Sequence, residues 1–109
     1  MTLYLDQTLV FPNRLDNPMD WLSPYSHRPL YVEIGFGNGD FLRHLAGSLP
    51  EGLHVGIEVS QKCIDKAARK AAREKLDNIR LLFGDARFLL RECFPDETVD
   101  GVFMNFPCP

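Results

Sequence analysis

Apolar and polar positions run in alternating blocks along most of the chain. "LYVEIG" at 30–35 is a short apolar run closed by glycine, the pattern of a strand buried on both faces. The next block, "DFLRHLAGSL", sets Phe41, Leu42, Leu45, Ala46 and Leu49 on one face of a helix. Asp40 stands where an N-cap belongs. Pro50 and Gly52 punctuate the exit, and "LHVGIEV" reads as a second strand. "SQKCIDKAARKAAREKL" is a second helix over 60–76, with Ser60 as its cap. Its stripe is Cys63, Ile64, Ala67, Ala68, Ala71 and Ala72, and charge fills the other face. "NIRLLFG" is a third strand. "DARFLLREC" is a short helix with Phe88, Leu89 and Leu90 inside. "TVDGVFMNFP" holds a fourth strand that ends near Asn105.

Strands alternating with helices imply a parallel sheet with right-handed crossovers. The expected fold is α/β, a Rossmann-like doubly wound sheet cut off after its fourth strand, since the full pattern needs about six. Residues 1–29 hold four of the eight prolines, Pro12, Pro18, Pro24 and Pro29. They read as an N-terminal extension, with a short strand at 3–10 and with Trp21 and Tyr25 packed onto the rest. Residues 30–109 read as the first half of a ligand-binding domain.

Composition narrows the class further. At 109 residues, with 45% hydrophobic and 25% charged, the chain suits one small globular domain. No apolar run approaches a membrane span, and the start lacks a signal-peptide pattern, so the cytoplasm is expected. Cys63, Cys93 and Cys108 form no Cys-x-x-Cys pair, and His27, His44 and His54 show no metal-ligand spacing. Reduced thiols and no metal are the expectation. A net charge of -3 argues against broad nucleic-acid binding.

The chemistry gathers at "GFGNG". Gly35, Gly37 and Gly39 follow the first strand at alternate positions. A glycine there permits a sharp exit, and bare backbone lets a ligand approach the start of the next helix. The dinucleotide fingerprint wants a third glycine at position 40. That position is Asp40, whose charge would repel a pyrophosphate, so a nicotinamide dinucleotide is disfavoured. Three acids stand at successive strand ends: Glu33, Glu58 and Asp85. Glu33 suits an ammonium, Glu58 suits ribose hydroxyls, and Asp85 suits an adenine amino group. Each also has a plain reading, as a loop-supporting ion pair, a helix-dipole charge or an N-cap. Together they favour a zwitterionic sulfonium nucleoside, S-adenosylmethionine.

Four segments carry a resemblance: "VEIGFGNGDFL" (32–42), "HVGIEVS" (54–60), "LLFGDA" (81–86) and "MNFPCP" (104–109). Over residues 30–109 the chain resembles the N-terminal part of tRNA (guanine-N7)-methyltransferases, a family of class I S-adenosylmethionine-dependent methyltransferases. The resemblance implies a tRNA partner and methyl transfer to N7 of a guanine. It implies cofactor-binding roles for Glu33, Gly35, Gly37, Gly39, Glu58 and Asp85. The family's fourth-strand motif reads Phe-Pro-Asp-Pro-Trp, with an Asp important for catalysis. Phe106, Pro107 and Pro109 match it, but Cys108 holds the Asp position, and a thiol hydrogen-bonds only weakly. Asn105 borders the transfer point, as a cofactor or guanine contact or as a turn residue. Phe106 is either a base-stacking ring or core. A fragment of this extent is expected to be inactive alone.

Other readings keep the fold and change the role. "NFPCP" loosely matches the Asn-x-Pro loops of methyltransferases acting on amino or amide nitrogens. A non-catalytic cofactor-binding or interaction module is the third. Lys62, Lys66, Arg69, Lys70, Arg73 and Lys75 line the second helix, but interspersed Asp65 and Glu74 favour a solvated face over an RNA contact.

Overall fold

The apolar runs pair side by side. The computed structural model describes residues 8–104. Strands β1 (Leu30–Ile34), β2 (Leu53–Glu58), β3 (Ile79–Phe83) and β4 (Gly101–Met104) form one parallel sheet in the order β3-β2-β1-β4. Leu30 pairs with Leu53, Val32 with Val102, and Ile57 with Leu82. The chain steps outward from β1 to β3 and then returns to lay β4 on the free side of β1. That reversal puts a topological switch point between β1 and β4, where open α/β sheets bind ligands.

Alternating side chains divide the core into two layers. On one face, α1 (Asp40–Ser48) and α2 (Gln61–Arg73) bury Leu42, Ala46, Ile64, Ala67, Ala68 and Ala71 with Ile79 and Leu81 of β3. On the other, α3 (Ala86–Cys93) and a 3-10 helix at Pro18–Tyr25 cover Val32, Val55, Ile57 and Leu82. The proline-rich segment is thus part of the core. Trp21 is buried, its Nε1 donates to the Cys93 carbonyl at 2.9 Å, and its ring meets Phe94 edge-on at 5.7 Å. Tyr25 accepts from Arg80 Nε through its hydroxyl at 3.2 Å. Of the strand expected at 3–10, Leu9 makes an isolated parallel bridge to Leu81, and residues 3–7 lie outside the described residues.

Several local expectations are corrected. The N-cap of α1 is Gly39, at φ +78°, and Asp40 is the first helical residue. Its carboxylate meets Arg43 at 2.5 Å instead of capping the turn. Phe41 and Leu49 are exposed, because the nine-residue helix buries only Leu42 and Ala46. Phe41 turns toward the sheet edge, edge-on to Phe103 at 5.3 Å. Phe88 is exposed as well, while Leu89 of the same helix is buried. Helix α2 stops at Arg73, and Lys75 takes a left-handed φ of +57°. Its cap is the expected one, with Ser60 Oγ accepting from the Cys63 amide at 3.3 Å.

β2, flanked on both sides, carries two sites under constraint. An added Cβ at Gly56 would lie 2.6 Å from Phe36 Cδ2 and 2.8 Å from Leu42 Cδ2. Gly56→Ala should therefore cost about 1–3 kcal/mol through overpacking, read as a lower urea midpoint at unchanged slope. His54 is fully buried. Its Nε2 lies 3.0 Å from the Leu49 carbonyl, and its Nδ1 has no hydrogen-bond partner among the described residues. Burial, only partly offset by the Leu49 carbonyl, lowers its pKa below the ordinary value of 6.5. The unfolded chain therefore takes up a proton near pH 6.5 that the folded chain resists. Stability should fall as pH drops from 8 to 5.5. Urea midpoints across that range would measure the slope, and His54→Gln should flatten it.

Candidate functional site

The carboxyl ends of the four parallel strands share one edge of the sheet. The loop leaving β1 begins with the Gly35 amide, which donates to the Ile57 carbonyl of β2 at 2.8 Å. Gly35, Gly37 and Gly39 all hold left-handed φ values, +68°, +61° and +78°. Other residues adopt that region at a cost of about 1–2 kcal/mol each, so the alternate glycines are what lets the loop fold this way. The three do different work. A Cβ on Gly39 would sit 3.0 Å from the Ala67 Cβ of α2, which is helix packing. A Cβ on Gly37 would meet nothing within 4 Å. The bend at Gly37 therefore opens onto free space above bare backbone.

Between these glycines, Phe36 folds inward and is only 5% exposed. It rests against β2 where Gly56 leaves room. Sequence reasoning missed this pair. The available signal was an aromatic residue between two glycines and a glycine inside the otherwise apolar "HVGIEV". Arg43 then ties the amino end of α1 to α2, meeting Asp40 at 2.5 Å and Glu74 at 2.6 Å.

Glu58 is the acid that the fold joins to the loop. Its Oε2 accepts from the Gly37 amide at 3.0 Å and its Oε1 from the Val59 amide at 3.0 Å. Its own carbonyl accepts from the Gly84 amide at 3.0 Å, which fixes Asp85 two residues beyond the end of the neighbouring strand. Asp85 Oδ1 caps α3, accepting from the Arg87 amide at 2.8 Å and the Phe88 amide at 3.4 Å. The Arg87 amide first, then the Arg87 side chain and the Phe88 amide, hold the Asp85 carboxyl below its ordinary pKa. It stays an anion and an acceptor. Glu33 is 2% exposed and, in β1, pairs in register with Gly56 and Phe103. The strand's alternation puts it on the α1 side. Asn105 and Cys108 lie outside the described residues.

Two sizeable cavities flank the sheet among the described residues. One of about 440 Å³ lies at the carboxyl edge, lined by Gln61, Phe83, Gly84, Asp85, Phe88 and Leu89 among others. Exposed apolar side chains surround this edge: Val59, Phe83, Phe88 and Met104. A flat heterocycle finds both apolar surface and an acceptor there. The other, about 610 Å³, lies at the amino ends of β1 and β2, with Met19, Tyr25, Arg28, Leu30, Leu53 and Asp100 in its wall. It is larger but holds none of the glycines or strand-end acids, so the carboxyl edge is the candidate site.

Known proteins resemble this chain in sequence and in fold. A family profile described as "Putative methyltransferase" matches residues 27–109. The tRNA (guanine-N(7)-)-methyltransferase of Thermotoga maritima is 50% identical over 93 residues, 84% of this chain and 30% of that protein. Its counterpart in Thermus thermophilus is 46% identical over 81 residues, 74% of this chain and 26% of that protein. The chain thus spans less than a third of either relative. Among solved structures, the O-methyltransferase TomG from Streptomyces achromogenes, in complex with SAM, superposes with a TM-score of 0.64 at 25% identity. That match covers 81% of this chain and 41% of TomG. The strand order, the glycine loop and the profile match agree, and the chain belongs to this methyltransferase family.

Proposed function

We propose that the chain binds S-adenosylmethionine at the carboxyl edge of its sheet and serves methyl transfer to N7 of a guanine in tRNA. The observation that carries the reading is the Glu58 carboxylate bound to the Gly37 amide, beside a bend with open space above it. A carboxylate oxygen has a second lone pair, so Glu58 can hold the loop and still accept from a ribose hydroxyl. Asp85, an anion at the mouth of the apolar cavity, accepts from the adenine amino group. Glu33 supplies negative charge toward the ammonium end. When bound, the cofactor supplies an electrophilic methyl group on a sulfonium.

Guanine N7 already carries its lone pair, so the chain removes no proton from it. The chain's contribution is orientation, which shortens the search for an in-line approach. Asn105 is assigned to the border of the transfer point. Cys108 takes the position of the family's catalytic Asp as a weak hydrogen-bonding group. The named activities of the Thermotoga and Thermus relatives support tRNA as the substrate. With tRNA as substrate the protein acts in the cytoplasm. Among the described residues no helix is long and apolar enough to cross a membrane.

Calorimetric titration with S-adenosylmethionine tests the site. Binding is expected, and Glu58→Ala should weaken it about 10- to 100-fold through the loss of charged hydrogen bonds. Uptake of a nicotinamide coenzyme in place of S-adenosylmethionine would sink the reading. A second test separates the glycines. Gly37→Ala should lower affinity while costing only about 1–2 kcal/mol of stability, the backbone term. Gly39→Ala adds a clash with Ala67 and should lose more stability in the same denaturation assay.

A further inference from the structure

Helix α2 carries a row of charge that its packing does not require. Lys62, Lys66, Arg69 and Arg73 follow at intervals of four, three and four residues, one stripe of an α-helix. All four are exposed. The stripe lies opposite Ile64, Ala67, Ala68, Ala71 and Ala72, which face the core. It runs about 16 Å along the axis.

Of the two acids that made this face look neutral in sequence, Glu74 is drawn to another helix, while Asp65 keeps its charge at the flank of the stripe and pairs with no cation among the described residues. Asp65 accepts from the Gln61 side-chain amide at 2.9 Å, and Glu74 meets Arg43 of α1 at 2.6 Å. None of the four cations joins an ion pair among the described residues. Such a row costs stability, because like charges three and four residues apart repel and Lys62 in the first turn opposes the helix dipole. A chain of net charge -3 nevertheless gathers four of its 12 Lys and Arg residues there.

We propose that this stripe is a docking surface for the phosphodiester backbone of RNA. The inference rests on the reading of the chain as a tRNA methyltransferase. Charge complementarity names the occupant: four evenly spaced cations against one flanking acid, Asp65, match a line of phosphates. No large exposed apolar side chain lies on α2, so the face lacks the wedge of a membrane-surface helix. Position agrees. The helix opens three residues after Glu58, so the row starts at the rim of the cofactor site and leads away from it. Phosphate contacts there would set the register of the RNA without reading its bases.

The test replaces Lys62, Lys66, Arg69 and Arg73 with Gln in the full chain and follows tRNA binding by fluorescence anisotropy over a salt series. Affinity should fall at least about tenfold, and the slope of log K against log salt should shallow by about three. The melting temperature should not fall, since repulsion is relieved. A Lys62→Gln/Lys66→Gln pair should give about half the change in slope. Unchanged affinity and slope would overturn the proposal, as would a clear drop in melting temperature, which would mark the row as structural. Equal stripe-dependent binding of polyglutamate or of phosphatidylserine vesicles would overturn it in favour of an acidic protein or a membrane. S-adenosylmethionine titration runs in parallel. If the unaltered chain ignores the cofactor, the reading of the site fails, while the salt slope still decides the stripe.

Discussion

The Glu58 carboxylate holds the Gly37 amide at 3.0 Å, and the rest of the site is arranged around that bond. It joins the tip of β2 to the loop that leaves β1, across the switch point of the sheet. The loop can take this path because three alternate residues accept left-handed φ values. It stays in place because Phe36 is buried beneath it against Gly56 and because Gly39 lets α1 close on Ala67 of α2. The Gly84 amide, bound to the Glu58 carbonyl, extends the same frame to Asp85. Glu58 and Asp85 are each held in place by hydrogen bonds from backbone amides.

The two ends of the sheet differ in kind. At the carboxyl edge, loops are short and glycine-rich, acids end the strands, and exposed apolar side chains border the cavity. At the amino ends, the Pro18–Tyr25 helix closes over β1 and β2, with Trp21 bonded to Cys93 and Arg80 to Tyr25. The N-terminal segment thus contributes apolar burial to one face of the sheet, and its Val10, Phe11, Pro12 and Pro18 also wall the cavity at the carboxyl edge. His54, buried at the amino end of β2, adds a dependence on pH far from the chemistry. A tyrosine ring stacks on it, Tyr31 at 5.3 Å.

Charge is segregated as well. The acids of the site sit at strand ends, and the cations of α2 lie along the outer side of the helix that follows Glu58. Ion pairs are used chiefly where α1 meets α2, through Arg43, Asp40, Glu74 and Lys70. That network takes up Glu74, and none of the four cations of the outer row joins an ion pair among the described residues. An acidic protein can present a basic line to a polyanion by this means, since a local field depends on neighbours more than on total charge.

The strands, the helices and the glycine loop were legible in the sequence because each is a local pattern. Apolar runs ended by glycine, a 3.6-residue stripe of alanines and a serine at a helix start report on their own neighbourhood. The acids at positions 33, 58 and 85 were legible for the same reason, as residues at predicted strand ends. What only the tertiary structure decided involves partners far apart in the chain. That Glu58 holds Gly37, that Phe36 needs Gly56 to be bare, and that Trp21 bonds to the Cys93 carbonyl are contacts across 21, 20 and 72 residues. The same holds for the charge row. Asp65 and Glu74 look like neutralising neighbours when read along the helix, but Arg43 from another helix takes Glu74 away. No periodicity encodes which distant side chain will claim an acid, because that choice is made by packing.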